Sequence, residues 1–363
     1  MPTEPISPQA DQRALLSPTR LASRVPRPSA HRTVPKVPSL ILESPELIDD
    51  YYLNLLDWSS TNNLAVALNR AVYRWNGATK KVTKMLEVRA HDDYVASVSW
   101  MDDGRYLAVG TAKADLILYD VVAQKRVRVL RGHRGRISSL SWNGYLLSSG
   151  ARDATIRNWD VRVADAETSR FSGHVQEVCG LKWQPTGSLC ASGSNDNLLN
   201  IHELRRPDTP LYTLRHHRAA VKGLAWCPWD TKVLASGGGT ADRMIRLWDT
   251  SSGACLNAVD TKSQVCSLLW SPHYRELVSS HGFSLNQLIV WKHPTMVKVT
   301  ELTGHTARVL HMAMSPDGQT VVSASGDATL RFWNIFERYK STDAARSAAS
   351  PSRRVALQPT PLR

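Results

Sequence analysis

The stretch GHTARVLHMAMSPDGQTVVSASGDATLRFWN, residues 304–334, decides how the chain folds. It opens on Gly304-His305, runs through alternating apolar positions, turns at Asp317-Gly318, resumes as TVVSAS (320–325), and closes on Asp327 and Trp333-Asn334. Asp-Gly between two such runs marks a hairpin, because Gly accepts a positive φ that other residues resist. The same unit recurs upstream. Its alternating element reads LLDW at Trp58, SVSW at Trp100, SLSW at Trp142, GLKW at Trp183, GLAW at Trp226 and SLLW at Trp270, and MAMS at Ser315 is the seventh copy. Successive copies lie 41 to 45 residues apart. The counterparts of Trp333-Asn334 are Arg74-Trp75, Tyr119-Asp120, Trp159-Asp160, His202-Glu203, Trp248-Asp249 and Trp291-Lys292. A histidine opens most repeats: His91, His133, His174, His217 and His305.

A period of about 40 residues with about four strands per unit is the pattern of propeller blades. Seven units predict an all-β fold, a seven-bladed WD40 β-propeller over residues 38–337. Closure into a ring removes the sheet edges that would otherwise pair with other chains. One histidine per blade keeps these side chains far apart, so they are not read as metal ligands. A buried relay is expected instead, in which each histidine bridges the turn aspartate (Asp153, Asp196, Asp242 or Asp327), a strand Ser/Thr and the Trp. In the sixth repeat Gln264-Val265 stands in the region where a histidine is expected, which frees that surface for another use.

Composition bounds the rest. The 363 residues are 42% hydrophobic, enough for a sizeable core, and hold twelve Trp against four Phe. No apolar run reaches the roughly 18 residues needed to span a bilayer, and the N-terminus lacks the apolar region of a secretory signal. The chain reads as soluble and intracellular. The five cysteines, Cys179, Cys190, Cys227, Cys255 and Cys266, are odd in number and form no CxxC pair. They read as small buried residues in a reducing compartment. Net charge is +13, and residues 1–37 and 337–363 each hold six Lys/Arg against two acids. Such basic, Pro- and Ser-rich tails (1–37 and 338–363) read as disordered. No nucleic-acid motif accompanies them. No Ser/His/Asp set, paired carboxylates or phosphate loop stands apart from the repeat; Gly237-Gly238-Gly239 lacks the following Lys of a P-loop. The chain is read as a binding protein without cofactor or metal, not an enzyme.

Several strings go beyond a generic repeat: PELIDDYYLNLLDWSS (45–60), GHVQEVCGLKW (173–183), SGSNDN (192–197), AVKGLAWCPW (220–229), ASGGGTADRMIRLW (235–248), SQVCSLLWSPHYRELVSSHGFSLNQLIVWK (263–292) and GHTARVLHMAMSPDG (304–318). On these strings the chain resembles the Cdc20/Fizzy family of coactivators of the anaphase-promoting complex, a ubiquitin ligase. It resembles the Cdc20 branch more than the Cdh1/Fizzy-related branch, over about residues 33–337. The resemblance implies a protein that captures degrons on its propeller and docks on the ligase through its tails. The partners so implied are ligase subunits, degron-bearing substrates such as cyclins and securin-like proteins, and mitotic checkpoint proteins. A monomer within a larger assembly, in nucleus and cytoplasm, without nucleic acid or membrane, is expected.

The resemblance also implies sites. A KEN-box receptor at the channel mouth maps onto Asp50, Tyr51, Asn195, Asn197, Thr240, Gln264 and Arg308. Asp50 suits the ligand Lys, Arg308 the Glu, and the amides and hydroxyl the Asn. A D-box (RxxL) receptor between the first and seventh blades maps onto Leu42, Glu43 and Asp327. There the family's usual Leu-Asp is Leu42-Glu43, and the second acid, after the turn Asp327, is Ala328. Losing one carboxylate is expected to weaken Arg capture by ~1–3 kcal/mol. For ligase docking, the family's Asp-Arg-Tyr-Ile-Pro-x-Arg string has only a degenerate counterpart around Arg24, Pro26 and Arg27. Leu362-Arg363 replaces the family's terminal Ile-Arg. Ser17, Ser350 and Thr360 each precede Pro with a basic residue at +3, the pattern of proline-directed kinases, and phosphate on Thr360 beside Arg363 is expected to weaken docking. Two other roles remain open: a diverged degron or checkpoint-protein binder that does not activate the ligase, and a WD40 scaffold whose basic tails contact RNA or DNA.

Overall fold

In the computed structural model, residues 34–336 are described. They form 28 strands in seven four-stranded antiparallel sheets. Numbered in chain order, blade 1 covers 56–87, blade 2 95–131, blade 3 137–171, blade 4 178–214, blade 5 221–260, blade 6 265–302 and blade 7 309–333. The outer strand of blade 7 comes from the other end of the domain. Leu40–Glu43 pairs antiparallel with Thr329–Trp333, with Leu42 opposite Leu330 and Glu43 opposite Thr329. The ring is thereby closed by main-chain hydrogen bonds between segments nearly 290 residues apart, and opening it would break that pairing.

The repeated Trp of the inner strands has a structural cause in blades 2 to 6, whereas Trp58 of blade 1 bonds Asn62 within its own blade. In the other five the indole N–H reaches the preceding blade: Trp100 Nε1 donates to Asp57 O (3.1 Å), Trp142 to Ser99 O (3.1 Å), Trp183 to Ser148 Oγ (2.9 Å), Trp226 to Lys182 O (2.9 Å) and Trp270 to Ala225 O (3.0 Å). Each staples two blades while filling the space between them. Phe fills the same space without a donor, and the buried acceptor would then go unpaired. Close approach is also enforced by glycine. A Cβ on Gly193 in blade 4 would collide with the carbonyl oxygen of Val221 in blade 5.

The relay forms as expected in blades 3, 5 and 7. In blade 5, His217 Nδ1 lies 2.6 Å from Asp242 and Nε2 2.7 Å from Ser236 Oγ, which also accepts Trp248 Nε1–H at 2.7 Å. His133–Asp153–Ser149–Trp159 and His305–Asp327–Ser323–Trp333 repeat it. In blade 4 His202 replaces the Trp, 2.7 Å from Ser192 Oγ and stacked on Phe171 with centroids 4.6 Å apart.

Three expectations need correction. His91 is exposed and meets Arg70 at 3.0 Å; the buried Asp93 caps that loop instead, accepting the N–H of Tyr94 and Lys113. Blade 6 does keep a histidine in its relay. His281, at the end of the strand Glu276–His281, bonds Ser279 Oγ at 2.7 Å, and Trp291 donates to the same oxygen. Blade register puts Thr261, not Gln264, at the position of the missing histidine; Thr261 is buried and donates to Arg243 O. Finally, four cysteines are buried but Cys255 is exposed on an outer strand.

Candidate functional site

The sixth residue before each inner-strand terminus falls at one rim of the ring. In chain order these are Tyr52, Tyr94, Arg136, Glu177, Ala220, Gln264 and Arg308. Each directly precedes an inner strand, or its irregular equivalent in blade 1, so the blade geometry aims all seven at the channel mouth. This register is visible in the sequence, yet residue matching picked out only Gln264 and Arg308 and missed Tyr52, Tyr94, Arg136 and Glu177.

Four of them, Tyr52, Tyr94, Arg136 and Glu177, join Asp50 in a connected network. Arg136 donates to both oxygens of Glu177 (2.7 and 3.0 Å), to Asp50 Oδ2 (2.7 Å) and to the Tyr94 hydroxyl (3.3 Å). Burial opposes its charge, but Glu177, Tyr94 and Asp50 outweigh that and hold the guanidinium above its ordinary pKa. Asp50 Oδ1 accepts the Tyr52 N–H. The Tyr52 hydroxyl donates to Asn195 Oδ1 at 2.7 Å, and Asn195 Nδ2 donates to Gln176 Oε1. Arg308 is held by Asp49, through Nε and Nη2 to Oδ1 at 3.1 and 2.7 Å.

The residues assigned to a Lys-Glu-Asn ligand are therefore distributed as follows. Asp50, Asn195 and Arg308 belong to the mouth, and Gln264 shares the rim position but is buried there. Asn197 and the exposed Thr240 lie on the neighbouring turns of blades 4 and 5, Asn197 at φ 68°. Tyr51 is not on the surface: it is buried beneath the mouth, its hydroxyl donating to Ala220 O (3.3 Å) and Val265 O (3.1 Å). Burial raises its pKa well above the ordinary value. The more accessible tyrosine of the pair is the half-buried Tyr52, the two side chains leaving the turn in different directions. Below Tyr51, Lys222 is wholly buried; burial lowers its pKa to about 8, and its ammonium donates to Leu310 O at 3.0 Å.

A second feature lies between blades 7 and 1. Leu40 and Leu42 flank a groove of about 560 Å³ with Trp58, Trp75 and Phe332 among its lining residues. These three rings pack together with centroids 4.7 to 5.9 Å apart. Glu43 ends the adjoining strand, exposed and without an ion pair among the described residues. Asp327 is committed elsewhere. Its Oδ2 meets His305 Nδ1 (2.8 Å) and accepts the Thr306 N–H (3.0 Å); Oδ1 accepts from Thr329 Oγ1 (2.6 Å) and the Thr329 N–H (3.0 Å). Asp327 thus takes the relay role expected of it, which occupies the oxygens of this member of the D-box set, whereas Glu43 has no ion pair among the described residues. Arg24, Pro26, Arg27, Leu362, Arg363, Ser17, Ser350 and Thr360 lie outside the described residues.

Comparison with known proteins bears on the family and the fold. A family model of the CDC20/Fizzy WD40 domain matches residues 42–333. "Anaphase-promoting complex subunit cdc20" of Dictyostelium discoideum is 56% identical over 309 residues, covering 85% of this chain and 62% of the relative, so the chain spans less than two thirds of that protein. From Arabidopsis thaliana, "Cell division cycle 20.1, cofactor of APC complex" is 49% identical, covering 84% of this chain and 68% of the relative. "Protein FIZZY-RELATED 3" of the same plant is 48% identical, covering 87% and 65%. Relatives named for either branch are thus about equally similar. A chain of the solved "Crystal Structure of Mitotic Checkpoint Complex" superposes with a TM-score of 0.83 at 41% identity, covering 92% of this chain and 99% of that one. With the family model matching residues 42–333 and a relative 56% identical over 85% of the chain, this chain belongs to the Cdc20/Fizzy WD40 family.

Proposed function

We propose that this protein is a substrate-recognition coactivator of the anaphase-promoting complex, of the Cdc20 branch, which binds KEN-box and D-box degrons of cell-cycle proteins and itself performs no bond chemistry. One observation carries the reading: the channel mouth collects acids, a guanidinium and amides from several blades into one polar rim, the chemistry a Lys-Glu-Asn segment needs. Asp50, already bonded to Arg136 and the Tyr52 N–H but, unlike Asp327, partly open to solvent, receives the Lys, Arg308 the Glu, and Asn195, Asn197, Thr240 and Gln264 the Asn. In the groove between blades 7 and 1, the aromatic floor beside Leu42 receives the Leu of RxxL, and Glu43, the exposed end of the same strand, receives its Arg. The protein acts in nucleus and cytoplasm, with ligase subunits and mitotic checkpoint proteins as further partners.

The departure of Arg24-Val25-Pro26-Arg27 from the family's docking string favours a second reading, a degron binder that competes with active coactivators. The test adds the full chain to purified ligase and a KEN-bearing substrate, with and without residues 1–37 and 362–363. Stimulated ubiquitination that is lost on removing these residues supports the coactivator. Degron binding without stimulation supports the competitor.

A further inference from the structure

We propose that Asp49 is a built-in competitor for the ligand carboxylate at Arg308, and so sets both the affinity and the acid selectivity of the mouth. This rests on the reading of the mouth as a Lys-Glu-Asn receptor. Asp49 occupies, in blade 1, the repeat position that carries His133, His174, His217 and His305 elsewhere. Those histidines bond within their own blades. Blade 1 has no such relay, since Trp75 packs instead against Trp58 and Phe332. Asp49 is released from that duty and reaches back to blade 7.

There it takes one edge of the Arg308 guanidinium. Nε and Nη2 both donate to Asp49 Oδ1, at 3.1 and 2.7 Å, and Nη2 also donates to Asp49 O at 3.1 Å. The Phe283 ring lies 5.6 Å from the guanidinium, and Gly282 packs so closely that a Cβ there would stand 3.4 Å from Arg308 Cγ and Cδ. The guanidinium is thus fixed in place, and its Nε/Nη2 edge is presented to Asp49. Paired Nε and Nη2 donors are the fork that a carboxylate grips with two parallel bonds. A ligand Glu gripping that edge has to displace Asp49. The exchange can proceed from the Asp49 side, which is 45% exposed against 20% for Arg308, because water weakens an ion pair it reaches. The pair therefore tunes binding without blocking it.

The test compares full-length wild type with Asp49→Asn and Asp49→Ala. Each is titrated with a Lys-Glu-Asn peptide and its Lys-Gln-Asn counterpart. The ratio of the two affinities isolates the contribution of the ligand carboxylate and cancels any effect on the ligand Lys. That ratio is expected to rise about two- to ten-fold in the variants. The Ala variant covers the case in which an Asn amide oxygen still accepts from Arg308. A ratio that stays the same or falls overturns the proposal, because Asp49 would then orient Arg308 or leave the ligand an independent edge at Nη1. If wild type does not separate Lys-Glu-Asn from a scrambled peptide, the receptor reading itself fails, a signature distinct from failure of the competitor alone.

Discussion

Position 328 offers the sharpest probe of the groove between blades 7 and 1. The Ser44 N–H donates to Ala328 O at 2.8 Å, and Glu43 pairs with Thr329, so the backbone of residue 328 lies one position along from the partner of Glu43. Asp327 cannot help receive a degron Arg, since both its oxygens are occupied within blade 7. Ala328→Glu would therefore add a second carboxylate at the end of the strand pair that carries Glu43. Ala328 already adopts φ 58°, so the longer side chain adds little backbone strain beyond what Ala pays. A second carboxylate adds a charge-assisted bond to the ligand guanidinium worth about 1–2 kcal/mol at a partly exposed site, or roughly 5- to 30-fold in affinity. Repulsion from Glu43 subtracts a few tenths of a kcal/mol from folding stability, on the order seen for exposed pairs. Fluorescence anisotropy with an RxxL peptide and its AxxL control measures the gain. The gain is expected only with the Arg-bearing peptide and should diminish as salt is raised. Equal RxxL affinity for wild type and Ala328→Glu, or an equal gain for AxxL, would refute the assignment of this groove.

The relay and its histidines supply two further tests. Ser236→Ala removes the hydroxyl shared by His217 Nε2 and Trp248 Nε1, leaving two buried ring nitrogens unpaired. A loss of about 2–5 kcal/mol by urea denaturation is expected, against under 1 kcal/mol if the relay is ornamental. Burial lowers the pKa of His281 to about 4 and that of His202 to about 3. Both stay neutral in the fold, whereas in the unfolded chain they take up protons below about pH 6.5. Stability is therefore present above pH 6.5 and drains as pH falls toward 4, by about 1.4 kcal/mol per pH unit for each histidine. The thermal midpoint should fall across that window, and His281→Gln should make the slope shallower; an identical slope would contradict the buried neutral state. Burial works against the lowered pKa values of Asp242 and Asp327, which hydrogen bonding nonetheless maintains, and these act only below the ordinary carboxylate range.

Blade number and the relay could be read from the chain because both are local and periodic. Alternation places a side chain on one face of a strand, and a period near 42 residues carries it to the same place in the next blade. Where a blade departs from the pattern, the reading slipped. His91 has the right spacing but no partner aspartate–serine pair in reach, and His281 enters its relay from a strand end that the spacing of opening histidines does not mark. The mouth was half legible. The rim position was present in the repeat all along, and Arg136 and Glu177 went unnoticed because each resembles an ordinary solvated charge in its own loop.

What the sequence determined alone is the ring: seven units, their strands, the Trp and Gly that space the blades, and the family to which its strings belong. Only the tertiary structure decided which polar group meets which. It closed blade 7 with Leu40–Glu43, turned Tyr51 inward and Tyr52 outward, committed Asp327 to His305, and gave Arg308 to Asp49 across 259 residues of chain. The reason is physical. Strand and blade follow from local sterics and the burial of apolar faces, which repeat with the sequence. An ion pair at the mouth depends on the distance between atoms that only ring closure brings together.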